Sequence, residues 1–205
     1  MLAEDMKELN PPARAFRAER VIKAAIELAT KGGYDGVQMR AVATRARVAL
    51  GTLYRYYPSK DDLIRAAIEF QINELRTDII TRPLFQKTAG ERVAQAYIRA
   101  FHAMVRNPGF AHAALSSYHV PMPYTGSPEE PNRMMPGFTI VAAIAAWGPN
   151  YKPKARESLA LEMIRSFWIT NVVDWLNHDR SQAEVEKNIR LAARLLPLEQ
   201  RTNAR

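Results

Sequence analysis

The residues best equipped for chemistry lie close together, between Gln38 and Lys60, and the chemistry they offer is non-covalent. Gln38, Arg40 and Arg47 precede the string Leu50-Gly51-Thr52-Leu53-Tyr54-Arg55-Tyr56-Tyr57, and Lys60 follows it. The set carries guanidinium, ammonium, amide and hydroxyl groups, which suit the phosphate oxygens and base edges of nucleic acid. Leu53 and Tyr57 lie four apart and can anchor a short helix inward. Thr52, Tyr54, Arg55 and Tyr56 then point outward, and Gly51 lets the backbone approach a phosphate closely. Gln38 and Arg40 open the preceding helix, Lys60 opens the following one, and all three can reach phosphates. Arg14, Arg17 and Arg20 recur every three residues. They suit a solvated helix face and backbone-phosphate contact equally well.

Other chemistries lack their residues. The chain has no cysteine, which excludes disulfides, zinc fingers, iron–sulfur clusters and thiol catalysis together. Its four histidines are scattered, without His-x-x-x-His or Glu-x-x-His spacing on a helix. No Gly-rich phosphate loop and no Gly-x-Ser-x-Gly elbow occurs. Neither a metal, a cofactor nor an enzymatic activity is therefore expected. The net charge of +8 favours a phosphate-bearing partner. An apolar content of 47% is enough for a globular core. The N-terminus lacks the apolar stretch of a signal peptide. The longest uncharged apolar run, Met134 to Tyr151, is interrupted by proline and glycine near its ends and reads as a buried helix. A soluble, cytoplasmic protein with no membrane partner is expected.

These residues need helices to hold them. Residues 1–12 read as a flexible tail closed by Pro11-Pro12. Val21, Ala24, Ala25, Leu28 and Ala29 recur at helical spacing within a helix from about Ala13 to Lys31, which Gly32-Gly33 stops. A second helix is expected near Gln38–Ala46 and a third over Leu50–Tyr57, which Pro58 ends. Ser59 then reads as the N-cap of a fourth helix, with Asp62 three positions on, running to about Thr81. Further helices are expected at about 89–106, 109–118, 134–147, 154–178 and 182–196. The proline-rich Val120–Arg133 reads as a loop. No alternating strand pattern is present. The fold class is all-α: a helix-turn-helix DNA-binding domain over 13–60 and a larger helical ligand-binding and dimerisation domain over 61–205.

Here the motif becomes specific. Gly33-Tyr34, Ala41-Val42-Ala43 and the run Val48-Ala49-Leu50-Gly51-Thr52-Leu53-Tyr54-Arg55-Tyr56-Tyr57-Pro58-Ser59-Lys60-Asp61-Asp62-Leu63 resemble the TetR family of bacterial transcriptional regulators, over about residues 16–65. Gly33 to Ala43 is similar to a narrower group, the KstR-type regulators of steroid catabolism in actinobacteria. A weaker likeness over Asp174–Leu176 and Arg190–Leu196 points the same way. The resemblance implies a homodimer placing two recognition helices on a palindromic double-stranded DNA operator, with release by a small molecule. It assigns DNA contact to Gln38, Arg40, Leu50, Gly51, Thr52, Tyr54, Tyr56 and Lys60. It also suggests a steroid, or its coenzyme A thioester, as effector. One departure stands out. The family commonly has Ala-Gly-Val-Ser at the turn, where this chain has Ala46-Arg47-Val48-Ala49. Arg47 is then expected in the left-handed conformation that glycine favours, and Ala49 lacks a capping hydroxyl. Without that hydroxyl Ala49 cannot bond a phosphate through its side chain, and Arg47 can do so in its place.

The C-terminal part is rich in large apolar residues. Phe101, Met104, Phe110, Tyr118, Met122, Phe138, Trp147, Phe167 and Trp168, with Asn171 as a polar group, are the candidate ligand contacts. Singly, each is explained as well by core packing; as a set they suit an adaptable apolar pocket. His102 and His119 are further polar candidates. Leu161, Ile164, Phe167, Trp168, Val172, Trp175 and Leu176 make a wide stripe on one helix, and Val185, Ile189, Ala192, Ala193 and Leu196 make one on the next. A four-helix interface between two subunits would cover both. The expected function is a ligand-responsive repressor released by a hydrophobic small molecule. A soluble carrier or enzyme for apolar molecules, without specific DNA binding, is the alternative.

Overall fold

In a computed structural model of the chain, residues 11–118 and 136–198 are described. Most of the expected tail, the Val120–Arg133 loop, His119 and Met122 lie outside them, as does the side chain of Tyr118. Among the described residues every regular element is an α-helix: α1 (Pro11–Gly36), α2 (Met39–Ala46), α3 (Leu50–Tyr56), α4 (Lys60–Thr81), α5 (Ala89–Arg106), α6 (Pro108–Tyr118), α7 (Pro136–Trp147), α8 (Ala155–Leu176) and α9 (Gln182–Leu195). The helical periodicities and the Gly and Pro punctuation account for this pattern. Within α1 the backbone leaves helical geometry at Gly32 and at Gly33, whose φ of 58° and ψ of −149° lie outside the range of other residues.

The chain divides into two compact units. The first holds α1, α2, α3, α4 as far as Phe70, and α6; the second holds α4 from Gln71, with α5, α7, α8 and α9. In the first unit, Val21, Ala24, Ala25 and Ala29 of α1 are buried, as are Val42 and Ala43 of α2, Leu53 of α3, and Leu63, Ile64 and Ala67 of α4. Helix α6 adds Phe110, Ala111, Ala113 and Ala114. It begins where Asn107 accepts from the Phe110 amide at 3.1 Å and donates to the Thr30 hydroxyl at 2.8 Å.

The crossing of α1 and α6 is close because residue 109 is glycine. A Cβ there would stand 2.4 Å from the Thr30 carbonyl oxygen and 2.6 Å from that of Ala29. Both are backbone atoms, so the helices would have to separate. Gly109→Ala is expected to cost about 1–3 kcal/mol by overpacking. A denaturant melt of the purified variant checks this, and an unchanged midpoint would refute the close crossing.

Helix α4 starts as its sequence suggests. The Ser59 hydroxyl accepts from the Asp62 amide at 3.1 Å, and the Asp62 carboxylate accepts from the Ser59 amide at 3.0 Å and from its hydroxyl at 2.6 Å. This satisfies donors that a helix start leaves unpaired. The hydrogen bond from Ser59, aided by Arg65, holds the Asp62 carboxyl below its usual range.

The second unit is an aromatic and alanine-rich core. Val93, Tyr97, Ile98 and Phe101 of α5, Phe138, Val141, Ile144 and Trp147 of α7, Leu161, Ile164, Trp168 and Val172 of α8, and Val185, Ile189 and Ala193 of α9 are buried. Arg92 fixes the end of α7. Its guanidinium donates to the carbonyls of Ala145 and Ala146, at 2.6 Å for the shortest bond, and to those of Gln86 and Lys87. A cation at a helix C-terminus satisfies free carbonyls and opposes the helix dipole. Helix α8 is fixed at its start by the buried Glu157, which accepts from the Tyr151 hydroxyl at 3.0 Å and the Lys154 amide at 2.7 Å.

Of the apolar stripe expected on α8, Leu161, Ile164, Trp168 and Val172 pack within the subunit, and Phe167 turns outward. Leu159 and Met163, not part of that stripe, join Phe167 at spacings of four, and the three are 58%, 59% and 41% exposed. Leu191 and Leu195 on α9 are exposed as well. A helix apolar on both sides has more greasy surface than one subunit covers.

Candidate nucleic-acid interface and apolar core

Helices α2 and α3 sort their side chains by chemistry. Met39, Val42, Ala43 and Ala46 anchor α2, and Gln38, Arg40, Thr44 and Arg45 are exposed. Helix α3 buries Leu53 alone. Tyr57, just past its end, is half-buried, and burial raises its phenol above the usual range. Around that single anchor, Gly51, Tyr54, Arg55 and Tyr56 are exposed, and Leu50 and Thr52 are half-buried. The Arg55 guanidinium carbon lies 5.6 Å from the Tyr56 ring centroid, a cation–π contact. A seven-residue helix exposing two tyrosines and an arginine forfeits apolar burial, an arrangement that suits a groove of polar base edges.

The turn between α2 and α3 follows the expectation for Arg47. Its φ of 54° and ψ of 52° are left-handed. Its amide donates to the Thr44 carbonyl at 3.1 Å, and that of Val48 donates to the Ala43 carbonyl at 3.0 Å. This pair of bonds closes a helix in the manner that usually employs glycine at the left-handed position. Ala49, at the N-cap of α3, supplies no side-chain hydrogen bond. Arg47→Gly is expected to raise stability by up to about 1 kcal/mol, less the backbone entropy that glycine adds to the unfolded chain. The same change should weaken DNA binding and reduce its salt slope by about one. Melting and salt-titrated DNA binding of one variant check both signs; a fall in stability would contradict the strain.

Lys60 is held beside the end of α1. Its ammonium lies 3.6 Å from the Tyr34 ring centroid and donates to the Tyr34 carbonyl at 3.3 Å. Tyr34 in turn donates its hydroxyl to Asp61 at 2.9 Å. Arg20, Lys23, Arg45 and Arg47 border a shallow groove with Ala24, Glu27 and Ala46. Lys23 and Arg45 were not singled out from sequence. Both have acidic partners, Glu19 and Glu27 respectively. Only packing shows that they share a groove with Arg47.

The candidate ligand contacts fall into several places. Phe138 and Trp168 meet, with ring centroids 4.9 Å apart, and Tyr97 joins them at 6.4 Å and 5.6 Å. Phe101 packs edge-on against Trp175 at 5.3 Å, and Met104 is half-buried. Trp147 instead stacks on Tyr151 at 4.8 Å. Phe167 faces outward, and Phe110 belongs to the first unit. Asn171 is buried but engaged: it donates to the Phe167 carbonyl at 2.9 Å and accepts from Asn188 at 3.0 Å. His102 bonds Glu186 at 2.8 Å, and this bond, with Arg190, holds the Glu186 carboxyl below its usual range. Tyr97 was missed from sequence. Its position four before Phe101 on an amphipathic helix was the available signal.

Comparison with known proteins matches two stretches of the chain. Residues 21–67 match the profile "Bacterial regulatory proteins, tetR family", and residues 87–196 match "Tetracyclin repressor-like, C-terminal domain". The chain is similar to the HTH-type transcriptional repressor KstR of Mycobacterium tuberculosis, with 34% identity covering 96% of this chain and 86% of that one. It is similar to KstR of Mycolicibacterium smegmatis at 33% identity, covering 92% of this chain and 91% of that one. Among solved structures it is similar to a TetR transcriptional regulator from Rhodococcus sp. RHA1. That match has a TM-score of 0.80 and 29% identity, covering 91% of this chain and 98% of that one.

Proposed function

The chain belongs to the TetR family of bacterial regulatory proteins, which are transcriptional regulators and not enzymes, and from that premise we propose a ligand-released repressor. It binds a palindromic double-stranded operator as a homodimer, and a hydrophobic small molecule entering the second unit lowers its affinity for DNA. The observation that carries the DNA reading is α3, which buries Leu53 and exposes Tyr54, Arg55 and Tyr56. Arg40, Arg47, Arg55 and Lys60 supply phosphate affinity and on-rate. Thr52, Tyr54 and Arg40 supply sequence choice. Gln38, Leu50, Gly51 and Tyr56 complete the contact surface.

The exposed Leu159, Met163, Phe167, Leu191 and Leu195 support a dimer through α8 and α9. Two heads related by a two-fold axis read half-sites about 34–36 Å apart, or a multiple of that spacing. The buried rings of Tyr97, Phe138 and Trp168 support an apolar effector. The family resemblance makes a steroid or its coenzyme A thioester the first candidate. Such a ligand releases DNA only by as much as it prefers the DNA-incompetent shape.

Selection from random duplex DNA at moderate salt tests this reading. Recovery of a palindrome is expected, with log affinity falling against log salt at a slope near −0.9 per phosphate neutralised. Weak, sequence-blind binding would refute the repressor and leave a carrier for apolar molecules.

A further inference from the structure

Tyr97 is a deeply buried aromatic residue of the second unit, and its hydroxyl is the one part of it left without a role. The residue is 2% exposed. Its ring lies against Phe138 and Trp168, and its backbone carbonyl accepts from the Trp168 indole nitrogen at 3.1 Å. The hydroxyl has no hydrogen-bond partner among the described residues. A buried hydroxyl left unpaired costs about 1–3 kcal/mol, and phenylalanine would fill the same space without it. A phenol keeps its proton and donates at neutral pH, and burial raises this one further above its usual range.

We propose that the Tyr97 hydroxyl is the specificity contact of the effector, donating to a carbonyl oxygen on an otherwise apolar molecule that packs against Phe138 and Trp168. This rests on the effector reading above. A carbonyl fits better than a hydroxyl because it accepts without bringing a proton that needs a partner of its own.

The test compares the full-length protein with Tyr97→Phe, using two matched pairs of probes. These are androstan-3-one with androstane, and 2-undecanone with undecane, followed by tryptophan fluorescence. The wild-type protein is expected to prefer the ketone of at least one pair by about tenfold. Tyr97→Phe should bind both members alike, melt no lower than wild type, and bind the selected palindrome as before. A ketone preference that survives the substitution overturns the inference, and so does a clear fall in melting temperature, which would reveal a partner within the protein. Equal binding of ketone and hydrocarbon by the wild type overturns the inference alone. Failure of all four probes to bind overturns the apolar-effector reading and this inference with it.

Discussion

Arg40→Ala and Tyr54→Ala, made separately, are expected to lower affinity for the selected palindrome by about 10- to 100-fold each, without lowering the melting temperature. Both side chains are exposed. Neither supports the α2–α3 core, which rests on Met39, Val42, Ala43, Ala46 and Leu53. A base-edge contact is worth about 1–3 kcal/mol of discrimination, which sets the size of the effect. The pattern across sequences matters more than the size of the fall. Tyr54→Ala should relax preference at particular positions of the palindrome. Arg55→Ala, at a proposed phosphate contact, should weaken all sequences alike and reduce the salt slope by about one. Binding isotherms on the palindrome and on single-base variants of it distinguish the two. An unchanged affinity with either substitution would remove that residue from the interface.

Phe167→Glu, alone or with Met163→Glu, is expected to turn the dimer into a folded monomer and to reduce operator affinity by about 100-fold or more. Met163 and Phe167 are more than a third exposed on α8, so an isolated subunit tolerates charge there. In the dimer each side chain would contribute up to about 1.5–3 kcal/mol by burial, and glutamate forfeits it. Coupling two heads raises avidity by about 10²–10⁴ over one, so breaking the dimer costs DNA binding although no DNA contact changes. Sedimentation gives the mass and circular dichroism the fold. A variant that remains dimeric would place the interface elsewhere, and one that unfolds would place these residues in the core.

The elements were legible in the sequence where chemistry acts locally. Gly32-Gly33 and Pro58-Ser59 punctuate the helices, and the Ser59–Asp62 cap follows from residue type and position, whereas the left-handed Arg47 was expected only from the glycine that the family commonly has at that turn. Placement across the chain was less legible. Helix α6 packs with α1 because Gly109 permits backbone contact with Ala29 and Thr30, an approach that no periodicity announces. Helix α8 is apolar on more than one side, so its spacing identified a wide stripe without showing that Trp168 turns in and Phe167 turns out. Tyr97 escaped notice for a related reason. Its companions Phe138 and Trp168 stand far along the chain, and an unpaired hydroxyl becomes visible only once its surroundings are built. The exposed side chains of α3 were legible because a short helix with one anchor, Leu53, declares its outward side chains directly.

Whether two identical heads bind DNA together is tested most directly by changing the spacing of their half-sites. The selected palindrome would be compared with the same site carrying about five extra base pairs between its halves, which turns one half to the opposite face of the duplex. A rigid two-headed dimer predicts that affinity for the half-turn site falls nearly to that of a single half-site. Equal affinity for the original and the half-turn site would contradict the two-headed dimer, because each head would then be binding on its own.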